Sequence, residues 1–386
     1  MEEVDALAHT DTPERYTERR LELRDLPKPE PSAGMAALKA ELELALATDP
    51  RKKANYERYL ASRRRSAAVD YLPITLDIEN VSRCNFRCTM CVVSDWPKGK
   101  RGPDMHLADF KRMIDEQYGL VIIKLQGIGE PTMQGDPYFE MIKYARSKHI
   151  WVRSTTNASL LHLKDRYRKM IDSGVNEIQI SIDGATKEVF ESIRRGSRFE
   201  HVVKNCQLIN NYARQQGRRV TKMWTLVQKG NRHQLFDFVD LANGLGFRDM
   251  TFAFSLANWG SDGWREKNDD VTVEGSLTVN LAQELIAKGQ AMGIRVSFWN
   301  STDKYSIESE ETLCPWPFER AVVTSDLRVV PCCTIGDPDA YEVGRGSGES
   351  FAVIWQSEEY KSFRQAHLDR KIPKVCQVCY QNSAKP

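Results

Sequence analysis

From residue 74 onward, short β-rich runs alternate with amphipathic helical stretches, and this rhythm restricts the fold more than any other feature. Candidate strands are ITLDIEN (74–80), VIIKLQG (121–127), IWVRSTT (150–156), EIQISID (177–183), VTKMWTLV (220–227) and DMTFAFS (249–255). Helical patterns lie near 107–117, 136–148, 160–173, 199–216, 231–245 and 274–292. Strand-then-helix repetition implies a parallel α/β sheet whose ligands bind at the C-terminal strand ends. Six units predict a partial (β/α)6 TIM-like barrel rather than the closed eight-unit form.

The flanks read differently. Residues 1–72 predict a helical N-terminal extension. DLPKPEPSAG (25–34) is a proline-broken linker. Met35, Leu38, Leu42, Leu44 and Leu46 recur near helical spacing, and Asp49-Pro50 stops that helix. RKKANYERYLASRRRS then continues as a basic helix. A solvated arm packed on the main domain is the plain reading, and a lid over the site the sharper one. The barrel is expected over 73–293. After Gly293 the chain turns to short strands, Trp/Pro-rich turns and cysteines, which predicts a small α+β domain over 294–386.

Charge is balanced, with Lys+Arg 55 against Asp+Glu 53 and a formal net of +2. No broad basic field points to nucleic acid. The opening MEEVDALAHTDTPE is acidic and lacks the apolar run of a signal peptide. No apolar run approaches the roughly eighteen residues that a membrane helix needs. A cytoplasmic, reducing location is therefore expected, where nine cysteines serve as metal ligands or reactive thiols rather than disulfides.

The cysteines are grouped. Cys84, Cys88 and Cys91 lie in SRCNFRCTMC, spaced C-x3-C-x2-C, just after the first strand. Cys314, Cys332, Cys333, Cys376 and Cys379 crowd the C-terminal part, and Cys206 stands alone. A structural zinc site wants four closed ligands. Three thiolates on one loop leave a position open, as when an iron–sulfur cluster exposes one iron to a small molecule.

Here the sequence resembles the radical S-adenosylmethionine (radical SAM) superfamily, whose signature is this loop after the first strand of a β/α partial barrel. The resemblance implies that Cys84, Cys88 and Cys91 hold a four-iron four-sulfur cluster. The open iron would take the amino and carboxylate groups of S-adenosylmethionine, and reductive cleavage would give methionine and a 5′-deoxyadenosyl radical. GIGEP (127–131) sits where the family has a Gly-Glu motif. There Gly129 permits close backbone approach and Glu130 accepts from the methionine ammonium. A dinucleotide fingerprint is poorly supported there, because Pro131 follows and the third glycine is missing. Ser181 and Asp183 are candidates for ribose or substrate hydroxyls. Arg194 is a candidate fork for the methionine carboxylate, and Met90 matches the apolar position beside the adenine. Each has a plainer alternative in caps, turns, surface charge or loop packing.

LCPWPFERAVVTSDLRVVPCC (313–333) reads as turn, strand, Asp326-containing hairpin and strand, IWQSEEYKSFRQAHL (354–368) as a helix, and CQVC (376–379) closes the series. This resembles the SPASM/twitch module. It implies one auxiliary four-iron cluster on Cys314, Cys332 or Cys333, Cys376 and Cys379, with Cys332 preferred. A four-cysteine zinc ribbon is the alternative. Cys206 falls on the apolar stripe of Phe199, Val202, Val203 and Ile209, a core position.

Adjacent strand residues face opposite ways. If Cys332 ligates a cluster, Cys333 is left over as a hydrogen-atom donor. That favours epimerisation of a sugar or aminocyclitol-type natural-product intermediate. Dehydrogenation through the auxiliary cluster and ribosomal-peptide modification are the alternatives within the family. An electron carrier or zinc scaffold is the non-enzymatic one. Residues 1–72 show no alternating strand pattern of a leader-binding domain, which inclines the reading toward a small molecule. An external reductant such as flavodoxin or ferredoxin is implied. VGRGSGESF (343–351) lacks the lysine of a phosphate loop and reads as a connection.

Overall fold

A computed structural model describes residues 22–62, 66–96, 102–256, 260–273, 275–299 and 305–380. Residues 1–21 of the predicted extension, and its basic tip at 63–65, lie outside the described residues. Helices α1 (Met35–Thr48) and α2 (Pro50–Ser62) divide at Asp49, where the Pro50 ring sets the first turn of the second helix.

The strands in chain order are β1 (Thr75–Ile78), β2 (Arg87–Cys88), β3 (Ile122–Leu125), β4 (Trp151–Thr156), β5 (Glu177–Ser181), β6 (Arg194–Arg195), β7 (Thr221–Leu226), β8 (Asp249–Ala253), β9 (Arg295–Trp299), β10 (Arg320–Val323), β11 (Arg328–Val330) and β12 (Gly344–Arg345). The helices that follow are α3 (Leu107–Glu116), α4 (Asp136–Ser147), α5 (Arg166–Asp172), α6 (Lys187–Ile193), α7 (Phe199–Gln215), α8 (Leu235–Gly244), α9 (Asp262–Asp269), α10 (Val279–Ala291), α11 (Trp316–Glu319), α12 (Phe351–Trp355) and α13 (Glu358–Leu368).

Ten strands form one sheet in the order β12-β11-β10-β1-β3-β4-β5-β7-β8-β9. From β10 through β9 every neighbouring pair is parallel, and β11 and β12 add antiparallel strands at one end. The six predicted strands are all present, joined by crossover helices as parallel pairing requires. The sequence pattern predicts a domain boundary at 293, yet the sheet runs through it. β9 pairs with β8, and β10 pairs with β1.

The sheet has two chemically distinct faces. Leu76, Ile78, Ile123, Leu125, Val152, Ile178, Ile180, Met223, Met250 and Phe252 are buried in the main apolar core. Cys206, on α7, is fully buried in the same core. The opposite face carries Asp77, Lys124, Arg153 and Glu177 side by side in register. Lys222 follows beside Gln179, and Arg295 beside Asp249. This concave face forms a polar lumen.

The linker 27–32 closes the N-terminal end of that lumen. Phe298 N donates to Pro27 O (2.8 Å), and Ser32 Oγ to Thr221 O (3.2 Å). Arg295 Nη1 reaches Glu30 (3.0 Å) and its Nη2 donates to Pro31 O (2.9 Å). Helix α1 is tied to the barrel by an Arg146–Glu41 ion pair (2.8 Å). The described part of the extension is thus a packed arm and a bottom plug, on the side away from the strand ends that carry the cysteine loop.

Candidate active site

The loop after β1 turns through the three cysteines and is held by hydrogen bonds within itself and to the end of α6. Cys91 N donates to Cys88 O (3.1 Å), Ser94 Oγ to Cys88 O (2.7 Å), and Thr89 N to Ile193 O (2.9 Å). Strand β2 pairs antiparallel with β6, so Cys88 stands opposite Arg194. Cys84 Sγ accepts from Phe86 N (3.4 Å) and lies 3.9 Å from Asn157 Nδ2.

Burial dominates the chemistry of these thiols. It pushes Cys84 and Cys91 up to about 12 and raises Cys88 as well. Each feels the charge of another cysteine of the loop or of Arg194, so the three share one environment. Thiols this desolvated ionise once a cationic metal centre takes their charge. Among the described residues, no group of three or more His, Cys, Asp or Glu could hold a single metal ion. Thiolates at the corners of an iron–sulfur cluster stand farther apart than ligands of one ion, and mutual electrostatic influence without single-ion geometry fits that spacing.

GIGEP packs directly against this loop. A Cβ at Gly129 would lie 2.2 Å from Val81 O, and one at Gly127 2.1 Å from the Glu79 carboxylate. Only glycine permits either approach. Glu130 N donates to Arg83 O (3.0 Å), which fixes the two segments together. The Glu130 carboxylate is buried at the end of β3. Its Oε1 accepts from Thr132 N, Thr132 Oγ1 and Thr156 Oγ1, and its Oε2 from Asn157 N (2.7 Å). Burial still holds its pKa above the ordinary range. A carboxylate offers about four acceptor sites over two oxygens. Oε2, with one donor, keeps capacity for another.

The structure gives Asp183 and Arg194 to each other. Arg194 Nη2 lies 2.7 Å from Asp183 Oδ2, and Asp183 Oδ1 accepts from Leu226 N (2.8 Å). The 2.7 Å contact is a buried ion pair, and Arg194 Nε beside it is buried without a hydrogen-bond partner. This arrangement differs from the separate ribose and carboxylate roles that the resemblance implies. Ser181 is half-buried on the lumen face, beside Trp224. Met90 is buried within the main core.

One carboxylate was not singled out by the sequence. Glu79, at the end of β1, accepts from Ile128 N (2.9 Å), and burial lifts its pKa to about 7. Hydrogen bonds from Ser325 lower it and nearby Asp326 raises it. Glu79 thus links the GIGEP turn to the β10–β11 hairpin. Its signal was a Glu directly after a strand, in the same run as the cysteines.

The C-terminal cysteines form a second set. Cys314, Tyr305, Cys376 and Cys379 pack against Leu313, Ile372 and Tyr380. Burial raises Cys314, Cys332 and Cys376, and the four thiols Cys314, Cys332, Cys376 and Cys379 influence one another. The sequence pattern predicts Cys332 and Cys333 on a strand. They lie instead in the turn beyond β11, which ends at Val330. They still diverge, for Cys332 is partly buried among the other thiols and Cys333 is exposed. The two sets sit at opposite ends of the sheet. The first follows the C-terminal end of β1. Cys314 precedes the N-terminal end of the parallel neighbour β10, and Cys332 follows β11, which runs back antiparallel.

Comparison with known proteins adds to this geometry. The model of the radical SAM superfamily matches residues 79–242, and that of SPASM, an iron–sulfur cluster-binding domain, matches 314–380. Residues 79–242 thus carry a radical SAM domain and residues 314–380 a SPASM domain. The mycofactocin maturase MftC of Mycolicibacterium smegmatis is 29% identical over 230 residues, which is 59% of this chain and 55% of that relative. The match thus spans little more than half of that relative's length. SuiB of Streptococcus suis, solved with the precursor peptide SuiA, superposes with a TM-score of 0.62 at 13% identity, covering 80% of this chain and 70% of SuiB. The AdoMet-bound anSMEcpe superposes at 0.55 with 19% identity, covering 80% and 88%. These likenesses show a shared α/β barrel-like fold.

A radical SAM domain joined to a SPASM domain implies S-adenosylmethionine and two four-iron four-sulfur clusters. The thiols fit that demand in number and in grouping, three in one set and four in the other. Among the described residues, no helix is long and apolar enough to cross a membrane.

Proposed function

We propose that this radical SAM protein is an enzyme that abstracts a hydrogen atom from a substrate held in the polar lumen and completes a net oxidation there. The observation that carries this reading is the placement of the two thiol sets at opposite ends of adjacent strands, with the lumen beside them. Bound S-adenosylmethionine and the clusters would supply a radical at one end and an electron acceptor at the other. The chain's own part is to hold Cys84, Cys88 and Cys91 as ligands of the first cluster, and Cys314, Cys332, Cys376 and Cys379 as ligands of the second. Glu130 Oε2 would receive the methionine ammonium. The Asp183–Arg194 pair would support the cysteine loop from beneath, and Ser181 would meet ribose or substrate.

The likeness to MftC, a maturase, and to SuiB, solved with a precursor peptide, makes a peptide the first substrate class to test. Sugars and aminocyclitols come second. Mass spectrometry of products under anaerobic, reducing conditions decides between them. A product two hydrogens lighter supports oxidation, and a product of unchanged mass refutes it.

Stereoinversion with Cys333 as hydrogen donor is the second reading. What favours it is that Cys333 is exposed while the other C-terminal cysteines are partly buried together. An external one-electron reductant such as flavodoxin or ferredoxin would serve either reaction.

A further inference from the structure

The lumen face of β1, β3 and β4 carries three charged side chains in one register row, Asp77, Lys124 and Arg153. Their environment is unlike that of the other lumen charges. Glu177 is paired with Arg153 (3.2 Å) and Lys222 (3.5 Å), and Asp249 with Arg219 (3.0 Å) and Arg295 (2.6 Å). Arg320 is held by Glu319 (2.9 Å). By contrast, the Lys124 ammonium makes no hydrogen bond or ion pair among the described residues. The Asp77 side chain, 5% exposed, accepts no hydrogen bond among them either. Arg153 Nε is buried without a partner while its Nη2 is fixed by Glu177.

Buried polar groups are normally hydrogen-bonded, and unpaired ones are costly to keep. Asp77 and Arg153 Nε are withdrawn from water without a hydrogen-bond partner, and Lys124, half-buried between them in the same register row, has none among the described residues, so the row is suited to a ligand that the protein itself does not supply. Around that row, Lys124, Arg153, Lys222 and Arg320 outnumber Asp77, Glu177 and Glu319. The free donors are the Lys124 ammonium and Arg153 Nε. Burial outweighs the three cations that act on Asp77 and keeps its carboxyl above the ordinary range, so it too tends toward a donor.

We propose that Lys124 and Arg153, with Asp77 beside them, form a subsite in the lumen for an anionic group of the substrate, a carboxylate or a phosphate. It rests on the proposed function only in calling that ligand the substrate. Lys124 supplies a mobile point charge, and Arg153, oriented by Glu177, a fixed N–H donor. A carboxylate corresponds to an acidic peptide side chain or terminus, and a phosphate to a phosphorylated small molecule.

The test uses the full-length, anaerobically reconstituted protein, with glutarate and inorganic phosphate as probes in ligand-observed NMR titrations. Wild type binds one of them saturably. Lys124→Met weakens that binding at least about tenfold, as loss of a desolvated charge partner should. Lys124→Arg and the surface control Lys39→Met bind as wild type. Asp77→Asn binds as tightly or more tightly, because a charge opposing the anion is gone. Preference for glutarate assigns a carboxylate, and preference for phosphate a phosphoryl group. Saturable binding of neither probe, unchanged binding in Lys124→Met, or equal weakening in Asp77→Asn overturns the proposal. Formation of 5′-deoxyadenosine without substrate is measured on the same samples. Its absence from wild type would count against the proposed function and leave the anion result to be judged alone.

Discussion

Arg194 and Asp183 meet at 2.7 Å with both side chains almost wholly withdrawn from water, one strand pairing away from Cys88. Removing one member of a buried charge pair strands the other, at a cost of about 3–5 kcal/mol. Asp183→Asn should therefore lower the melting temperature and loosen the cysteine loop. Thermal melts and iron content after reconstitution check this. A variant as stable as wild type, with full iron, would show the pair to be dispensable.

Glu130 shows how one carboxylate can be structural and still bind a ligand. Three donors converge on Oε1 and one on Oε2. In Glu130→Gln one side-chain atom becomes a donor and faces another donor, which costs about 1–3 kcal/mol for the unsatisfied group. The variant should melt lower and also bind S-adenosylmethionine more weakly in anaerobic titrations. Weaker binding with unchanged stability would leave only the ligand role.

Glu79 predicts a pH dependence of stability. Its carboxyl titrates near 7 in the folded chain against a reference of 4.5. Between those values the folded state holds a proton that the unfolded state has released, so this group's contribution falls as pH rises from 4.5 to 7 and is level above. Glu79→Gln cannot ionise and should gain stability relative to wild type across that window. Melts of both proteins at the two ends check it, and parallel curves would contradict it.

Cys333 separates the two chemical outcomes. If the reaction is a net oxidation, Cys333→Ala turns over normally in deuterated buffer and its product carries no solvent deuterium at the reacting carbon. Loss of turnover in this variant, with deuterium in the wild-type product, would instead support stereoinversion.

Much of this architecture was legible from one-dimensional patterns. Short β-rich runs between helical stretches marked the six barrel strands, and the cysteine spacing marked the loop after β1. What escaped was long-range or brief. The pairing of Arg87–Cys88 with Arg194–Arg195 spans two residues on each side, too short for periodicity to register. The composition places β9 in the C-terminal region, because RVSFW follows the change of character at Gly293. The hydrogen bonds that occupy Glu130, and the mutual pairing of Asp183 and Arg194, depend on neighbours distant in sequence. The polar lumen did have a signal. Asp77, Lys124, Arg153, Glu177 and Lys222 interrupt otherwise apolar strands, and charges there point to a hydrated inner face.

The most direct test is anaerobic reconstitution of wild type beside a variant with Cys84, Cys88 and Cys91 all changed to serine, followed by iron analysis and assay of 5′-deoxyadenosine under dithionite. Wild type should hold about eight irons in two four-iron clusters and cleave S-adenosylmethionine, whereas the variant should hold about four and cleave none. Equal cleavage by the two proteins, or a colourless wild type carrying a single zinc, would contradict the account.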